Sequence, residues 1–417
     1  MAVIRAFKAV RPAPALASKV AALPYDVMNS DEARRMVEGN PYSFLHVDKA
    51  EIDLDPSIDL YDTRVYEKAR DNLNRMIAEG VFVQDETPCL YIYKQTMSGR
   101  AQIGIVACAS IDDYNNNVIR KHELTRADKE QDRINHVDYC DANTGPIFLT
   151  YREKAEINEV IEAQMAAKSP VYDFVSEDGI GHTVWVMDDE KVIAMLCETF
   201  TAIPTLYIAD GHHRTASAAK VGDLRRAAKP DYDGTEEFNF FLSVLFPDSQ
   251  LYIMDYNRIV KDLNGNSREQ FLEKVKEKFE IYPYCNGESL KPTAKHTYGM
   301  YLPGQWYLLA AKPGSFDAAD PVAQLDVSIL QNNLLTPILN IGDPRTDKRI
   351  DFVGGIRGLD ALAARVDSGE MAVAFSMYPT TMDDLMNIAD AGAIMPPKST
   401  WFEPKLRSGL FIHQLSE

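Results

Sequence analysis

The sequence predicts an α+β protein in which short strands and helices are mixed along the chain. Two apolar stretches, at 90–93 and 104–108, flank a Ser98-Gly99 turn, which is typical of paired strands. A further apolar stretch, Thr205–Ala209, indicates a strand that leads directly into an Ala-rich helix ending at Gly222. Strand and helix patterns therefore occur together, and they are the basis of the predicted fold class.

The first third contains weakly patterned strands and one strong helix. Residues Val3–Val10 alternate weakly, and prolines interrupt the next few residues. Pro24-Tyr25-Asp26-Val27 indicates a strand end or a turn, and Ser30 is the expected N-cap of a helix that continues over 33–38. Asp62–Glu79 is a good helix candidate because a glycine closes it.

The middle third carries clear start and stop signals. Thr125–Asp128 fits the Ser/Thr-x-x-Asp/Glu pattern of a helix start, and that helix is expected to run to about Tyr139. Gly145-Pro146 then ends it, and the apolar residues 147–149 begin a strand. A second helix is predicted over residues 153–167.

The last third is richer in strands. Apolar patterns predict strands at 298–302, 306–310 and 372–377, and a helix over Met382–Ala391 that a glycine closes. The chain is thus expected to contain three regions: an N-terminal α+β region at 1–110, a core at 111–260 and a C-terminal α+β region at 261–417.

Composition excludes several classes of protein. The 417 residues carry a formal charge of −18, and 46% of them are hydrophobic, which is typical of a folded globular chain. A duplex-binding surface needs a surplus of Lys and Arg, so nucleic acid is not expected as a partner. An anionic ligand then requires a locally positive pocket.

Cysteine usage and hydropathy favour a cytoplasmic location. The cysteines are odd in number and scattered without a CxxC, which argues against a disulfide framework and a structural zinc site. The N-terminus lacks the apolar core of a signal peptide, and no run approaches the roughly 18 apolar residues of a membrane span. No membrane partner is expected, and the oligomeric state stays open. The cysteines are Cys89, Cys108, Cys140, Cys197 and Cys285.

The most informative segment is Asp210-Gly211-His212-His213-Arg214, a strand end, tight turn and helix start. A helix N-terminus favours an anion, and Gly211 allows the backbone to approach a ligand closely. Arg214 can make bidentate phosphate contacts, and His212 and His213 add donors whose charge can respond to a phosphate. Asp210 has the opposite sign, so it is expected to hold Mg²⁺ or to orient a histidine.

Other interpretations of this segment are weaker. A surface turn with two capping histidines is the simplest alternative, but Asp-Gly followed by two histidines and an arginine is a rarer combination. Zinc is disfavoured because adjacent histidines point in different directions on a helix and no HExxH spacing occurs. The glycines of Val353–Gly358 lack the GxGxxG spacing, and no P-loop motif is present.

Two further segments carry candidate residues. Glu123 lies among cations before the predicted helix, where a carboxylate can accept a proton from a hydroxyl nucleophile; a solvated, salt-bridged helix start is the alternative. Lys398, beside Ser399 and Thr400, is a compact cation suited to a carboxylate or a phosphate; a proline-stiffened surface loop is the alternative there.

The stretch Asp210–Arg214 resembles the phosphate-binding turn of the ParB/sulfiredoxin-like fold. It is most similar to the version in free serine kinases of the SerK type and in their longer bacterial relatives of formerly unknown function. Sulfiredoxins place a cysteine where this chain has His212, which disfavours a sulfiredoxin-like reductase. The resemblance implies a ParB/sulfiredoxin-like nucleotide-binding core with additional N-terminal and C-terminal α/β regions.

The resemblance also implies roles for the candidate residues. Serine kinases of this type carry a His-Glu pair upstream of the turn, and Glu123 matches the glutamate that activates the serine hydroxyl, across a longer intervening segment. Residues 211–214 then bind the nucleotide and Asp210 is a second catalytic residue. A Pro-Lys-Thr/Ser-Thr element near the C-terminus of these kinases contributes to the amino-acid site, and residues 398–400 match it.

The implied function is phosphoryl transfer from ATP or ADP to free L-serine, with Mg²⁺ as the expected cofactor. The sequence does not distinguish ATP from ADP, or serine from another small alcohol. Two other functions stay open. One is a nucleotide-sensing ParB-like regulatory module without phosphoryl transfer, and the other is a regulatory nucleotide hydrolase.

Overall fold

The computed structural model describes residues 1–284 and 289–416, which group into two compact units. Unit 1 is Met1–Leu251 together with the segment from Pro404 onward, and unit 2 is Tyr252–Glu403. The sequence places a boundary near residue 110, whereas unit 1 continues across it because one sheet takes strands from both sides. Cys285 lies outside the described residues, and the other four cysteines are free thiols.

The described strands are, in chain order, β1 (Ile4–Arg5), β2 (Val10–Pro12), β3 (Phe82–Gln84), β4 (Leu90–Met97), β5 (Arg100–Ser110), β6 (Ile119–Arg120), β7 (Ala142–Asn143), β8 (Ile147–Tyr151), β9 (Tyr172–Val175), β10 (Gly181–Met187), β11 (Leu206–Asp210), β12 (Phe240–Pro247), β13 (Ile253–Met254), β14 (Tyr256–Val260), β15 (Phe279–Tyr284), β16 (Thr297–Leu302), β17 (Gln305–Ala311), β18 (Ile350–Gly354), β19 (Val373–Met377), β20 (Trp401–Phe402) and β21 (His413–Gln414).

The described helices are, in the same order, α1 (Ala17–Val20), α2 (Ser30–Met36), α3 (Leu45–Asp48), α4 (Thr63–Ala78), α5 (Ile111–Asn115), α6 (Ala127–Cys140), α7 (Ala155–Ala167), α8 (Glu190–Thr201), α9 (His212–Ala228), α10 (Arg268–Val275), α11 (Asp326–Leu330), α12 (Asp360–Asp367) and α13 (Met382–Asp390). Within the described ranges, no helix is both long enough and apolar enough to span a membrane.

Unit 1 is built on a mixed sheet, which within the described residues has nine strands. Its order is β6-β11-β8-β12-β5-β4-β10-β9, and β1 pairs with β5. The pairs β6–β11 and β8–β12 are parallel and the others are antiparallel. The α+β class predicted from the sequence is therefore confirmed, and the ParB/sulfiredoxin-like assignment of the core stays a prediction. The pair β6–β11 matters most for the site, because parallel strands end at the same edge of a sheet.

Unit 2 has its own antiparallel sheet, in the order β15-β17-β16-β19-β14-β18. The strands predicted at 298–302, 306–310 and 372–377 correspond to β16, β17 and β19. Helix α13 ends at Asp390, and Gly392 follows with a positive φ, as its stop signal predicts.

Helix α9 continues past the glycine that the sequence predicts as its end. It runs from His212 to Ala228, and Gly222 is buried inside it. A Cβ at Gly222 would lie 2.5 Å from both Ile111 Cδ1 and the carbonyl oxygen of Phe238. The predicted helix end is therefore wrong, because a glycine that stops a helix and a glycine that allows close packing look alike in a sequence.

The start of helix α2 differs from the prediction by one residue. Its N-cap is Asn29, whose side chain accepts the N–H of Glu32, and the Glu32 carboxylate accepts the N–H of Asn29 in return. The hydroxyl of Ser30, the predicted cap, donates instead to Glu51 at 2.8 Å. The side chain that the local pattern predicts as the cap therefore makes a hydrogen bond to a residue outside the helix instead.

A buried ionic cluster joins helices α3 and α6. The hydroxyl of Thr144 donates to Asp48 Oδ1 at 2.7 Å, and the same oxygen lies 3.6 Å from Nε2 of His136. Burial opposes a charge on His136, but Cys140 and Asp48 outweigh it and raise its pKa to about 9. Burial also opposes a charge on Asp48, yet His136 keeps the pKa of that carboxyl below its ordinary value. Both groups are therefore charged near neutral pH.

We expect the free energy of unfolding to fall as the pH rises from about 6.5 to about 9. The pKa of His136 is about 9 in the folded chain and 6.5 in its ordinary state, so its stabilising contribution is complete below the lower value and is lost as the pH rises through the upper one. The loss is at most about 3 kcal/mol. Urea unfolding near pH 6 and near pH 9 measures it. The same pH dependence in a His136→Gln variant would exclude His136 as its source.

Candidate functional site

The turn that the sequence singles out lies at the end of strand β11. Gly211 has a φ of 93°, in the left-handed region, and helix α9 begins at the next residue. A Cβ at Gly211 would lie 3.2 Å from Nε of Arg214. Glycine therefore allows both the positive φ and the close approach of the Arg214 side chain. The first N–H groups of a helix have no acceptor within it and lie at the positive end of its dipole, which favours an anion.

The segment after strand β6 comes to the same edge of the sheet as this turn. Strands β6 and β11 are parallel neighbours, with Ile119 opposite Leu206. The residues that follow them therefore meet, and Glu123 Oε2 lies 3.9 Å from Nδ1 of His212. The structure thus brings the predicted catalytic carboxylate next to the predicted phosphate-binding turn, which the sequence separates by many residues.

His122, which had no separate role in the sequence-based prediction, packs against His212 edge to face. Their ring centroids are 4.4 Å apart, with the rings at 86°. The backbone N–H of His122 lies 3.5 Å from Nε2 of His212, at the limit of a hydrogen bond, and Nδ1 of the same ring is on the side of Glu123. Neither ring nitrogen of His122 makes a hydrogen bond of full geometry among the described residues, although the residue is only 2% exposed. Each such unmet buried group costs about 1–3 kcal/mol.

The histidines of the site are neutral near pH 7. Burial lowers the pKa of His122 to about 4 and holds the pKa of His212 well below its ordinary value. Burial also lowers the pKa of His213. The sequence predicts that these histidines gain a proton when phosphate binds. Burial opposes that protonation, because it disfavours the charged form of the imidazole.

His213 connects the turn to the start of helix α6. Its Nε2 accepts the backbone N–H of Arg126 at 3.0 Å. The predicted capping box at Thr125–Asp128 is wrong: the helix has no side-chain cap, and the hydroxyl of Thr125 donates to Glu130 at 2.8 Å. The hydrogen bond from Arg126 to His213 fixes the backbone here, so a distant residue organises the helix start.

Arg214 is held in one orientation by the chain that precedes strand β8. Its Nη1 donates to the carbonyl oxygen of Pro146 at 2.6 Å, and its Nε is buried without a hydrogen-bond partner. Its charge also acts on the carboxylate of Asp210, whose pKa it helps to lower. Arg214 therefore provides a fixed positive charge beside the helix start, as binding of a phosphate requires.

Asp210 is paired with a residue that the sequence analysis did not connect to the turn. Its Oδ2 accepts a hydrogen bond from Lys405 Nζ at 2.9 Å, and its Oδ1 accepts the N–H of Gly211 at 2.9 Å. Burial opposes the charge, but Lys405 and Arg214 outweigh it and keep the pKa of Asp210 below its ordinary value. Asp210 therefore holds Lys405 and the turn in place, and its charge also acts on the neighbouring His212.

A small cavity lies beside Arg214, with a volume of ≈ 20 Å³, room for about one water molecule. Tyr25 and Arg133 also line it, and the Arg133 guanidinium lies 4.1 Å from the centroid of the Tyr25 ring. Tyr25 belongs to the Pro24–Val27 motif, for which the sequence predicts a strand end or a turn and no functional role. The first hundred residues thus reach the neighbourhood of the predicted phosphate-binding turn.

The predicted substrate residues Lys398, Ser399 and Thr400 belong to unit 2. Lys398 has a φ of 60°, and its ammonium is exposed, 5.6 Å from the ring centroid of Tyr256. The buried Arg258 donates to the Lys398 carbonyl at 2.9 Å. The Ser399 hydroxyl is buried and donates to a carbonyl of its own loop at 2.6 Å, so it stabilises that loop. The serine-binding role of these three residues stays a proposal.

The residues around the turn do not form a Mg²⁺ site of their own. Mg²⁺ prefers oxygen ligands, and both oxygens of Asp210 are already engaged by Lys405 and by a backbone N–H. The group in the described ranges whose atoms converge as metal ligands is His122, Glu123 and His212, in which two of the three donors are imidazole nitrogens. Magnesium therefore fits this site only as part of a nucleotide substrate.

Comparisons with known proteins give a family and several structures. A family model described as "Protein of unknown function (DUF1015)" matches residues 4–328. No curated protein is significantly similar to the chain. Similar solved structures include a conserved hypothetical protein from Pyrococcus furiosus, at 13% identity and a TM-score of 0.36, covering 74% of this chain and 94% of that one.

Two further solved structures that are similar to this chain are of named proteins. A free serine kinase in complex with AMP is 11% identical, with a TM-score of 0.37, and covers 74% of this chain and 91% of that one. SbnI with a C-terminal truncation, from Staphylococcus aureus, is 11% identical, with a TM-score of 0.38, and covers 74% and 86%. The family model confirms the resemblance, predicted from the sequence, to bacterial proteins of formerly unknown function.

Proposed function

This chain belongs to the DUF1015 family of proteins of unknown function, and we propose that it is a kinase that transfers a phosphoryl group from ATP or ADP to the hydroxyl of free L-serine. The product is O-phosphoserine. The observation that carries the proposal is the 3.9 Å separation between Glu123 Oε2 and Nδ1 of His212, which puts a carboxylate beside an anion-binding helix start.

The phosphate groups bind at the N-terminus of helix α9. The N–H groups of its first turn and the guanidinium of Arg214 offset the negative charge of the transferred group. The absence of a Cβ at Gly211 lets the Arg214 guanidinium pack against the turn, and the Asp210–Lys405 pair holds the turn in place. Phosphoryl transfer depends mainly on positioning and charge neutralisation, and these residues supply both.

Glu123 accepts the proton of the attacking hydroxyl. Its side chain is 42% exposed, so a substrate can reach it. A positioned base of this kind contributes about 10²–10⁴-fold to a rate. His212, whose pKa burial holds well below its ordinary value, lies beside the carboxylate without adding a charge.

An acceptor screen tests the proposed function. The protein is mixed with Mg²⁺, ATP or ADP, and serine, homoserine, threonine or alanine, and the products are identified by mass spectrometry. Alanine is the matched control because it lacks only the hydroxyl of serine. O-phosphoserine formed with serine and absent with alanine supports the kinase.

Other outcomes of the same screen contradict the kinase. Phosphate release that does not depend on serine favours a regulatory hydrolase, and nucleotide binding without any product favours a sensing module. If homoserine or threonine is phosphorylated and serine is not, the protein is a kinase, but serine is not its acceptor.

A further inference from the structure

Three potential metal ligands meet beside the phosphate-binding turn. His122, Glu123 and His212 each offer one ligand atom, and these atoms all lie within 4.8 Å of one another. Both histidines are buried, whereas the carboxylate is partly exposed. Ligands around a metal ion with bonds of about 2.0–2.2 Å are roughly 3–3.5 Å apart, so a closure of at most about 1–2 Å converts this cluster into a three-ligand site.

The state of His122 gives a second, independent reason to expect a ligand. Both of its ring nitrogens are buried, and neither makes a hydrogen bond of full geometry within the described residues. The Ile208 carbonyl acts on the ring and can accept the N–H of one nitrogen, which leaves the lone pair of the other nitrogen without a donor. Coordination through one nitrogen would satisfy that atom directly.

We propose that His122, Glu123 and His212 bind a divalent transition-metal ion, of the Zn²⁺, Co²⁺ or Mn²⁺ class, rather than Mg²⁺. Imidazole nitrogen suits these ions, whereas Mg²⁺ selects oxygen. Two histidines and one carboxylate are a ligand set that catalytic metal sites use, and such sites leave a further position for water or a substrate oxygen.

This inference does not depend on the proposed function, because metal binding is measured without nucleotide or serine. The two proposals nevertheless use the same carboxylate, as a base in one and as a ligand in the other. His122 separates them, since replacing it removes a metal ligand and leaves Glu123 in place.

The test uses the full-length, untagged protein after treatment with a chelator. Co²⁺ is titrated and its visible absorption recorded, and calorimetry measures Zn²⁺ binding. One equivalent of either ion is expected to bind, and a hundredfold excess of Mg²⁺ is expected not to displace it. His122→Asn and Glu123→Gln should each weaken binding by at least about 100-fold, more than the loss of an outer hydrogen bond to a ligand causes.

The control is His46→Asn, because His46 also pairs with a carboxylate, that of Asp53 at 2.9 Å, outside the cluster. It should bind both ions as the parent does. Thermal unfolding of each metal-free variant identifies any that fails to fold. Glu123→Gln is expected to disturb folding less than His122→Asn, because the Glu123 side chain is partly exposed. Absence of binding by the parent, unchanged binding in a folded ligand variant, or displacement by Mg²⁺ would each overturn the proposal.

Discussion

Replacing Glu123 by glutamine is expected to lower kcat for phosphoryl transfer to serine by about 10²–10⁴-fold. Glutamine has nearly the same size and still accepts a hydrogen bond, but it cannot take a proton from a hydroxyl near neutral pH. The nucleotide Kd should change by less than about threefold, because the proposed phosphate contacts come from the helix start and from Arg214. Steady-state kinetics and calorimetry with a non-hydrolysable nucleotide measure the two effects separately.

Asp128→Asn is the matched control for this experiment. Its carboxylate is 46% exposed, close to the 42% of Glu123, and it pairs with Arg126 on the surface. The control should leave turnover near that of the parent. Equal turnover in Glu123→Gln and the parent would remove Glu123 as the base. Turnover that collapses equally in His122→Asn would instead favour loss of a bound ion.

Replacing Arg214 by alanine is expected to weaken nucleotide binding itself. A charged hydrogen bond contributes about 1.5–3 kcal/mol, which corresponds to a Kd raised roughly 10- to 150-fold. Lysine at this position should recover only part of the affinity, because an ammonium cannot make the planar bidentate contact of a guanidinium. The measurement is calorimetric titration with ADP and with ATP.

Arg225→Ala controls for effects on helix α9, which carries both arginines. Arg225 pairs with Asp138 and Asp141 on the surface, so its loss should affect stability and leave the nucleotide Kd unchanged. Thermal unfolding shows whether the lost hydrogen bond from Arg214 to Pro146 destabilises the fold. An unchanged Kd in a well-folded Arg214→Ala protein would contradict the assigned binding turn.

Local signals in the sequence were sufficient for the strand, the glycine turn and the helix start at 206–214. An apolar run, a glycine and an Ala-rich stretch determine that structure within about fifteen residues, so a short window contains the information. The same holds for helix α4 and for the hairpin of β4 and β5, where Ser98 and Gly99 both take a positive φ.

Features that depend on distant partners were not predictable in this way. The predicted cap of helix α6 is wrong because the hydroxyl of Thr125 donates to Glu130 and the backbone N–H of Arg126 donates to His213. The charge state of the histidines depends on burial, which a motif does not encode. His122 was passed over for the same reason, since the burial of its two ring nitrogens arises only in the folded chain.

The ion pair between Asp210 and Lys405 spans 195 positions of sequence, and this has a consequence for biosynthesis. A ribosome adds about 5–20 residues per second, so the lysine is made roughly 10–40 seconds after the aspartate. Until then Asp210 lacks the ammonium that holds its Oδ2, while Arg214 and the N–H of Gly211 still offset part of its charge. The proposed site should therefore need the segment that carries Lys405, and proteolytic clipping ahead of residue 405 should abolish the proposed activity.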